Sequence, residues 1–410
     1  MATMDRSAIV SAVAKVAVGA GLRTRAGDLV IIDGSVIHRD LMLAAASECW
    51  KRGAKFVHLR YRDEVAFRQR VDLAPEEGLD EVPALLRGFN ENLASERWTR
   101  LVVHGDEDPA MLEGADVGRL DRITSASQRA SKAYSELMMT FSVPWCIVPY
   151  PTDAWARLVT GSPEAKGEEL WPLLLEAMRM DGASEAGVLA HFDSLSRRAE
   201  KLEALDLGSL HFSGPGTDLV VGLSPAASWM GGNMKAPGGR EFTANIPTEE
   251  IFTTPDFRRT EGRVACTRPV MVMDLLVEGA WLEFKGGVVV ASGAKRNGDA
   301  LERYLAKDLG TRRLGEVALV DCSSPIWRSG RLFRNTLLDE NAACHIALGH
   351  GIAACFEGAA EMDAAAREAA GYNESLGHED LMIGSDEIDV TGRTKAGGEV
   401  PVIRKGRFAL

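Results

Sequence analysis

The sequence predicts an α/β protein in two parts: an N-terminal, mainly parallel α/β sheet domain over residues 1–206 and a C-terminal α+β domain over residues 207–410. Three observations lead there. Short apolar runs alternate with helical periodicity through residues 28–151. A charge-rich helical stretch fills residues 163–206 and suits a bridge. Beyond it, β-like segments follow one another across the glycine turns GPG, EGA and KGG, the pattern of an antiparallel sheet. At roughly 100–200 residues per domain, a chain of 410 also fits two domains.

Along the first part, DLVIID (28–33) reads as a strand and residues 38–52 as a helix. KFVHLRY (55–61) is a second strand, followed by helices at 63–72 and 81–95. RLVVHG (100–105), a long helix over 117–140 and the strand PWCIVPYP (144–151) complete the alternation. Strand-helix-strand order calls for parallel pairing with right-handed crossovers. In such a sheet the strand-end residues Asp33, Arg62 and Asp63 are placed to line a crevice at the carboxyl edge. No GxGxxG or GxxxxGK[ST] follows any strand, so a nucleotide site has no motif behind it.

The formal charge of −12 and the lack of basic clusters along the chain argue against nucleic acid as a partner. No uninterrupted apolar run reaches the ~18 residues of a membrane span. The start of the chain lacks the layout of a secretory leader, because Lys15 interrupts its modest apolar stretch. Its helical spacing predicts a surface helix. The six cysteines form no CxxC pair and lie mostly in apolar surroundings, as reduced thiols of a cytoplasmic protein do.

In the second part, SLHFSGPGTDLVVGL (209–223) and residues 262–293 read as β-segments, with short helices expected near 297–309, 340–348 and 360–370. Four stretches concentrate acid and histidine: NIPTEEIFTTP (245–255), RRLGEVALVD (312–321), NTLLDENAACHIALG (335–349) and YNESLGHEDLMIG (372–384). Each has a plain structural explanation. Glu249 and Glu250 suit turn acids, Glu316 a surface charge, and Glu340 a helix start capped by Asp339 or Asn341. His345 suits a hydrogen-bonded core histidine. His378 and Asp380 carry a sharper signal. They are two apart at the head of an extended apolar run, so both project to one side and form a half-site for zinc, manganese, cobalt or iron. Glu249 and Glu250 point opposite ways on a strand, so one of them serves as a ligand. Glu340 and His345, five apart, do not share a helical face.

Together these four stretches resemble the M29 family of metallo-aminopeptidases, densely from residue 245 onward and more loosely before it. The resemblance implies a C-terminal catalytic, metal-binding domain whose dinuclear site falls on Glu250, Glu316, Glu340, His345, His378 and Asp380. It makes Glu316 the bridge, with Glu250 and His345 on one metal and Glu340, His378 and Asp380 on the other. The ions implied are two divalent metals of the zinc, cobalt, manganese or iron kind. The implied substrate is a short peptide or small amide cleaved at its amino end by an activated water, and the implied assembly is a homodimer. One position departs: the family tyrosine seven residues after the first histidine falls here on Ile352, leaving His350 or Tyr372 to substitute. A phenol there would supply a hydrogen bond worth ~2–4 kcal/mol to a developing oxyanion. A second reading is also open. The fold is similar to that of ring-opening dioxygenases of dihydroxypyridines, in which His345, His378 and Asp380 would hold one iron(II).

Overall fold

Apolar periodicity on one side of the first helix, Arg6–Val16 (α1), buries Ile9, Val10, Val13, Ala14 and Val16 while Lys15 stays exposed. In this computed structural model, which describes residues 5–180, 184–273, 275–358 and 361–410, the N-terminal alternation appears where the pattern places it. The parts of the predicted segments at 181–183, 274 and 360 lie outside the described residues. Strands Leu29–Ser35 (β1), Phe56–Arg62 (β2), Thr99–His104 (β3) and Trp145–Pro149 (β4) form a sheet in the order β2-β1-β3-β4. Every pair in it is parallel. The crossover helices are Arg39–Lys51 (α2), Glu64–Leu73 (α3), Ala84–Ser95 (α4) and Val117–Met139 (α5).

Two of the three strand-end residues differ from the crevice expectation. Asp63 caps α3, accepting the Ala66 N–H at 2.9 Å, because a carboxylate is the natural partner of the free amides of a first turn. Asp33 is completely buried and ion-paired to Arg60 and Arg100.

The chain divides into two compact units, one of Met1–Leu189 with Met234–Ile246 and one of Ala190–Asn233 with Pro247–Leu410. Among the described residues the second unit holds two large antiparallel sheets and a two-stranded ribbon of Val270–Val272 and Leu275–Val277. The larger has eight strands, running in space from Val288–Gly293 to Arg407–Phe408. The smaller has five: Met230–Gly231 (β5), Glu250–Thr253 (β6), Leu314–Val320 (β7), His345–Gly349 (β8) and His378–Met382 (β9), in the order β9-β8-β7-β6-β5. One apolar cluster serves the unit, and Ile251, Val317, Leu319, Ile346, Leu348 and Leu381 enter it from the five-stranded sheet.

One predicted helix is corrected. Residues 340–348 are not helical: a turn at Thr336–Asp339 and a 3-10 turn at Glu340–Ala342 lead into strand β8. Alanine and leucine favour a helix locally, but HIALG is five residues long and alternates period two, so sheet pairing on both edges prevails. The other two short helices occur, as Gly298–Leu305 and Ala364–Ala369. All six cysteines are free, five of them buried.

Candidate metal centre

The period-two rule decides which side chains of the five-stranded sheet can meet. With Ile251, Val317, Ile346 and Leu381 committed to the core, their neighbours in sequence face the other way. Those neighbours are Glu250 on β6, Glu316 on β7, His345 on β8 and the pair His378 and Asp380 on β9. Register brings them together. Glu316 lies opposite Ala347, and Ala347 lies opposite Asp380, so a methyl group is all that stands between the two carboxylates. His345 lies opposite Ala318, one pleat further on. The register of β7 shifts between Leu314 and Glu316, at Gly315. A Cβ at Gly315 would sit 2.3 Å from the His350 carbonyl oxygen, so this close approach requires glycine.

The resulting site has two sides. His345 Nε2 is 3.2 Å from Glu250 Oε2 and 3.9 Å from Glu316 Oε1. His378 Nε2 is 3.2 Å from the other Glu316 oxygen, Oε2, and 3.5 Å from Asp380 Oδ1. Two sets of ligand atoms, each within 4.8 Å of one another, therefore form: Glu250, Glu316 and His345, and Glu316, His378 and Asp380. Glu316 belongs to both. Among the described residues no such set joins His345 with His378 and Asp380.

Glu340 stands on its 3-10 turn beside the others, close enough that Glu250 and Asp380 act on its charge. Glu249 turns away from the cluster to His191, at 3.4 Å, which matches the expectation that adjacent glutamates diverge.

Both imidazoles are oriented through their second nitrogen. His378 Nδ1 is 2.7 Å from the His350 carbonyl oxygen and His345 Nδ1 is 3.3 Å from that of Ala343. Such bonds put a proton on Nδ1 and aim Nε2 into the cluster, where it donates to a carboxylate while protonated and turns its lone pair to a divalent ion once deprotonated, as metal-binding histidines require. The electrostatics point the same way. Burial raises Glu316, and the Glu250 charge adds to that, although His378 opposes it. Burial likewise pushes Glu340 well above the usual carboxylate range, aided by Glu250 and Asp380. Burial would lower His345, but the hydrogen bond and charge of Glu250, with Asp380 and Glu316, raise it to about 10. A buried group of four carboxylates is a poor anion store and a good cation store, and a divalent ion entering it displaces protons. The donor set thus fits hard or borderline divalent metals. His378, with 35% of its side chain exposed, keeps one side of the cluster open to solvent.

Several residues that build the site lie outside the set of acids and histidines. Asn341 is wholly buried; its Oδ1 accepts the Glu249 amide at 2.7 Å and its Nδ2 donates to Glu340 Oε1 at 3.3 Å. It ties the start of β6 to the Glu340 turn. Asn373 Nδ2 donates to Gly349 O at 2.6 Å, and Tyr304 Oη donates to Leu348 O at 2.6 Å, fixing the end of β8. Of the two suggested tyrosine substitutes, the buried Tyr372 hydroxyl is held 2.9 Å from both His350 Nε2 and Gly351 O. Ile352 is tied by its backbone to Thr254, whose Oγ1 accepts from its N–H and donates to its carbonyl.

A family model described as thermophilic metalloprotease (M29) matches residues 7–408. The chain is 40% identical over 405 residues to aminopeptidase T of Thermus thermophilus, and 38% identical over 405 residues to aminopeptidase T of Thermus aquaticus. Each alignment covers 97% of both partners. Its fold is similar to the solved structure of wild-type AmpT from Thermus thermophilus, with a TM-score of 0.89 over 98% of this chain and 99% of that one at 38% identity.

Proposed function

The chain belongs to the thermophilic metalloprotease (M29) family and is a metal-dependent aminopeptidase of that kind, and on that premise we propose that it works with two divalent ions bridged by Glu316. The observation that carries the bridging role is the two-sidedness of one carboxylate, with Oε1 toward His345 and Oε2 toward His378. On this reading Glu250 and His345 hold one ion, and Glu340, His378 and Asp380 hold the other; the five residues Glu250, Glu316, His345, His378 and Asp380 form the catalytic set. Bound metal would supply polarisation of the scissile carbonyl, acidification of the attacking water and a seat for the free amine of the substrate. The chain's own part is to hold the donors in place. Ala347 keeps Glu316 and Asp380 from being wedged apart. The carbonyls of His350 and Ala343 keep both histidines in the ligating tautomer. The ring-opening dioxygenase reading finds no support. The matches are to metalloproteases, and Glu250 and Glu316, which a single iron does not need, stand in the cluster.

Short peptides with a free amino terminus are the proposed substrates, cleaved by a cytoplasmic homodimer without nucleic-acid or membrane partners. Among the described residues no helix is long and apolar enough to cross a membrane. Hydrolysis of an unblocked tripeptide and of its N-acetylated form by the metal-loaded protein tests this directly. The free peptide should be cleaved from its amino end and the blocked one left intact; equal rates would overturn the assignment of the amine. Because isoleucine donates nothing to an oxyanion, Ile352→Tyr should raise kcat for simple aminoacyl anilides, by about tenfold or more if the phenol reaches it. An unchanged kcat would mean that another donor already fills that place.

A further inference from the structure

The face of the parallel sheet that packs on α4 and α5 ought to be apolar, and part of it is: Ile31, Leu93, Tyr134 and Val143 form a buried cluster there. Beside that cluster the same face turns cationic. Arg60 and Arg62, two apart on β2, project to one side, and Arg100 joins them from β3. With Arg70 from α3 they line a cavity of about 890 Å³. Arg60 and Arg100 share the completely buried Asp33, at 2.5 and 2.6 Å. This triad holds the two guanidinium groups in fixed orientation, and each keeps N–H groups that Asp33 does not occupy. Arg70 donates to the Glu81 carbonyl at 3.2 Å. Arg62, exposed at the end of β2, makes no ion pair with any described residue; partial burial and the charges of Arg100 and Arg60 press its pKa down, with Asp33 and Glu64 as partial offsets.

We propose that this cavity is a second binding site, for a phosphate monoester carried on an aromatic or apolar body. Charge sets the sign of the ligand. Four guanidinium groups outnumber the carboxylates that face them, Glu81, the shared Asp33 and Glu64 beside Arg62, in a chain whose overall charge is −12. Geometry favours phosphate: planar N–H forks match its oxygens, and Ser127 and Ser135 present hydroxyls two turns apart on α5 along one wall, with Ser131 between them donating to the Ser127 carbonyl. Size requires more than an inorganic ion. The volume lies toward the upper end of small-molecule pockets, and Phe89, Leu86, Tyr61 and Pro83 supply the apolar walls. Arg60 already stacks on Phe89, with its guanidinium carbon 5.7 Å from the ring centre.

Calorimetric titration of the intact, metal-loaded protein at low salt with phenyl phosphate, inorganic phosphate, phthalate and phenol tests the proposal. Phenyl phosphate should bind with one equivalent per chain, more tightly than the other three probes. Arg62→Gln should weaken it about tenfold or more through loss of a charge-assisted bond, and Ser131→Glu should do the same by adding a like charge. Metal content should stay unchanged in both variants. Binding that both substitutions leave intact would belong to the metal cluster or the general surface and would overturn the proposal. So would a stronger response to phthalate, or no phenyl phosphate binding at millimolar concentration.

Discussion

Each unit buries charge against one face of a sheet, and the two solutions have opposite sign. In the first unit the Asp33 carboxylate is enclosed by Arg60 and Arg100, so its own charge is satisfied within the fold. In the second, Glu250, Glu316, Glu340 and Asp380 face two histidines and cannot all be ionised together without help. An internally paired carboxylate is depressed: burial acts to raise Asp33, but Arg100 and Arg60 hold it below the usual aspartate range. Crowded carboxylates are raised, as Glu316 and Glu340 are. Asp380 is the exception in the second cluster: burial acts to raise it, but His378 holds it down. The raised pair Glu316 and Glu340 is what sets that cluster apart from the one around Asp33, as groups that a cation from outside would ionise.

The largest effect expected from this contrast is structural. Asp33→Asn leaves two partly buried guanidinium groups without a counter-charge and should lower the stability of the first unit by about 2–3 kcal/mol, read as a fall in the urea midpoint. Metal content should not change. Because the folded pKa of Asp33 lies below its unfolded value, its contribution is present at neutral pH and lost as pH falls below about 4 through the folded value. The substituted protein should lack that acid-dependent loss. A variant as stable as the parent would remove the distinction between the two clusters. A smaller effect should follow from Asn341→Ala, which unties the Glu249 amide from the Glu340 turn. Metal affinity should drop about 10–100-fold by chelator competition with little change in fold. An unchanged affinity would make Asn341 a matter of packing alone.

How much of this was legible in the sequence depends on the range of the interactions. The parallel sheet, its crossover helices and the antiparallel second half follow from periodicity and turn residues, which act over a few neighbours. The half-site at His378 and Asp380 follows from the same rule, since both side chains leave one face of β9. Strand β8 was hidden because HIALG suits a helix until sheet partners on both edges are known. Gly315 and Ala347 matter only through register, a long-range property, and Asn341 acts through bonds to residues 92 positions away as well as to its neighbour. The cationic cavity is the clearest case. Arg60, Arg62, Arg70 and Arg100 are scattered among acidic residues, and no run of sequence displays the patch that folding assembles.

Metal counting on Glu316→Gln beside the parent tests the central claim most directly. A bridge predicts about two ions per parent chain and the loss of both in the variant, with activity falling about a thousandfold or more. Two ions retained with full activity in the variant, or a parent chain that is fully active with one, would contradict a centre built around Glu316.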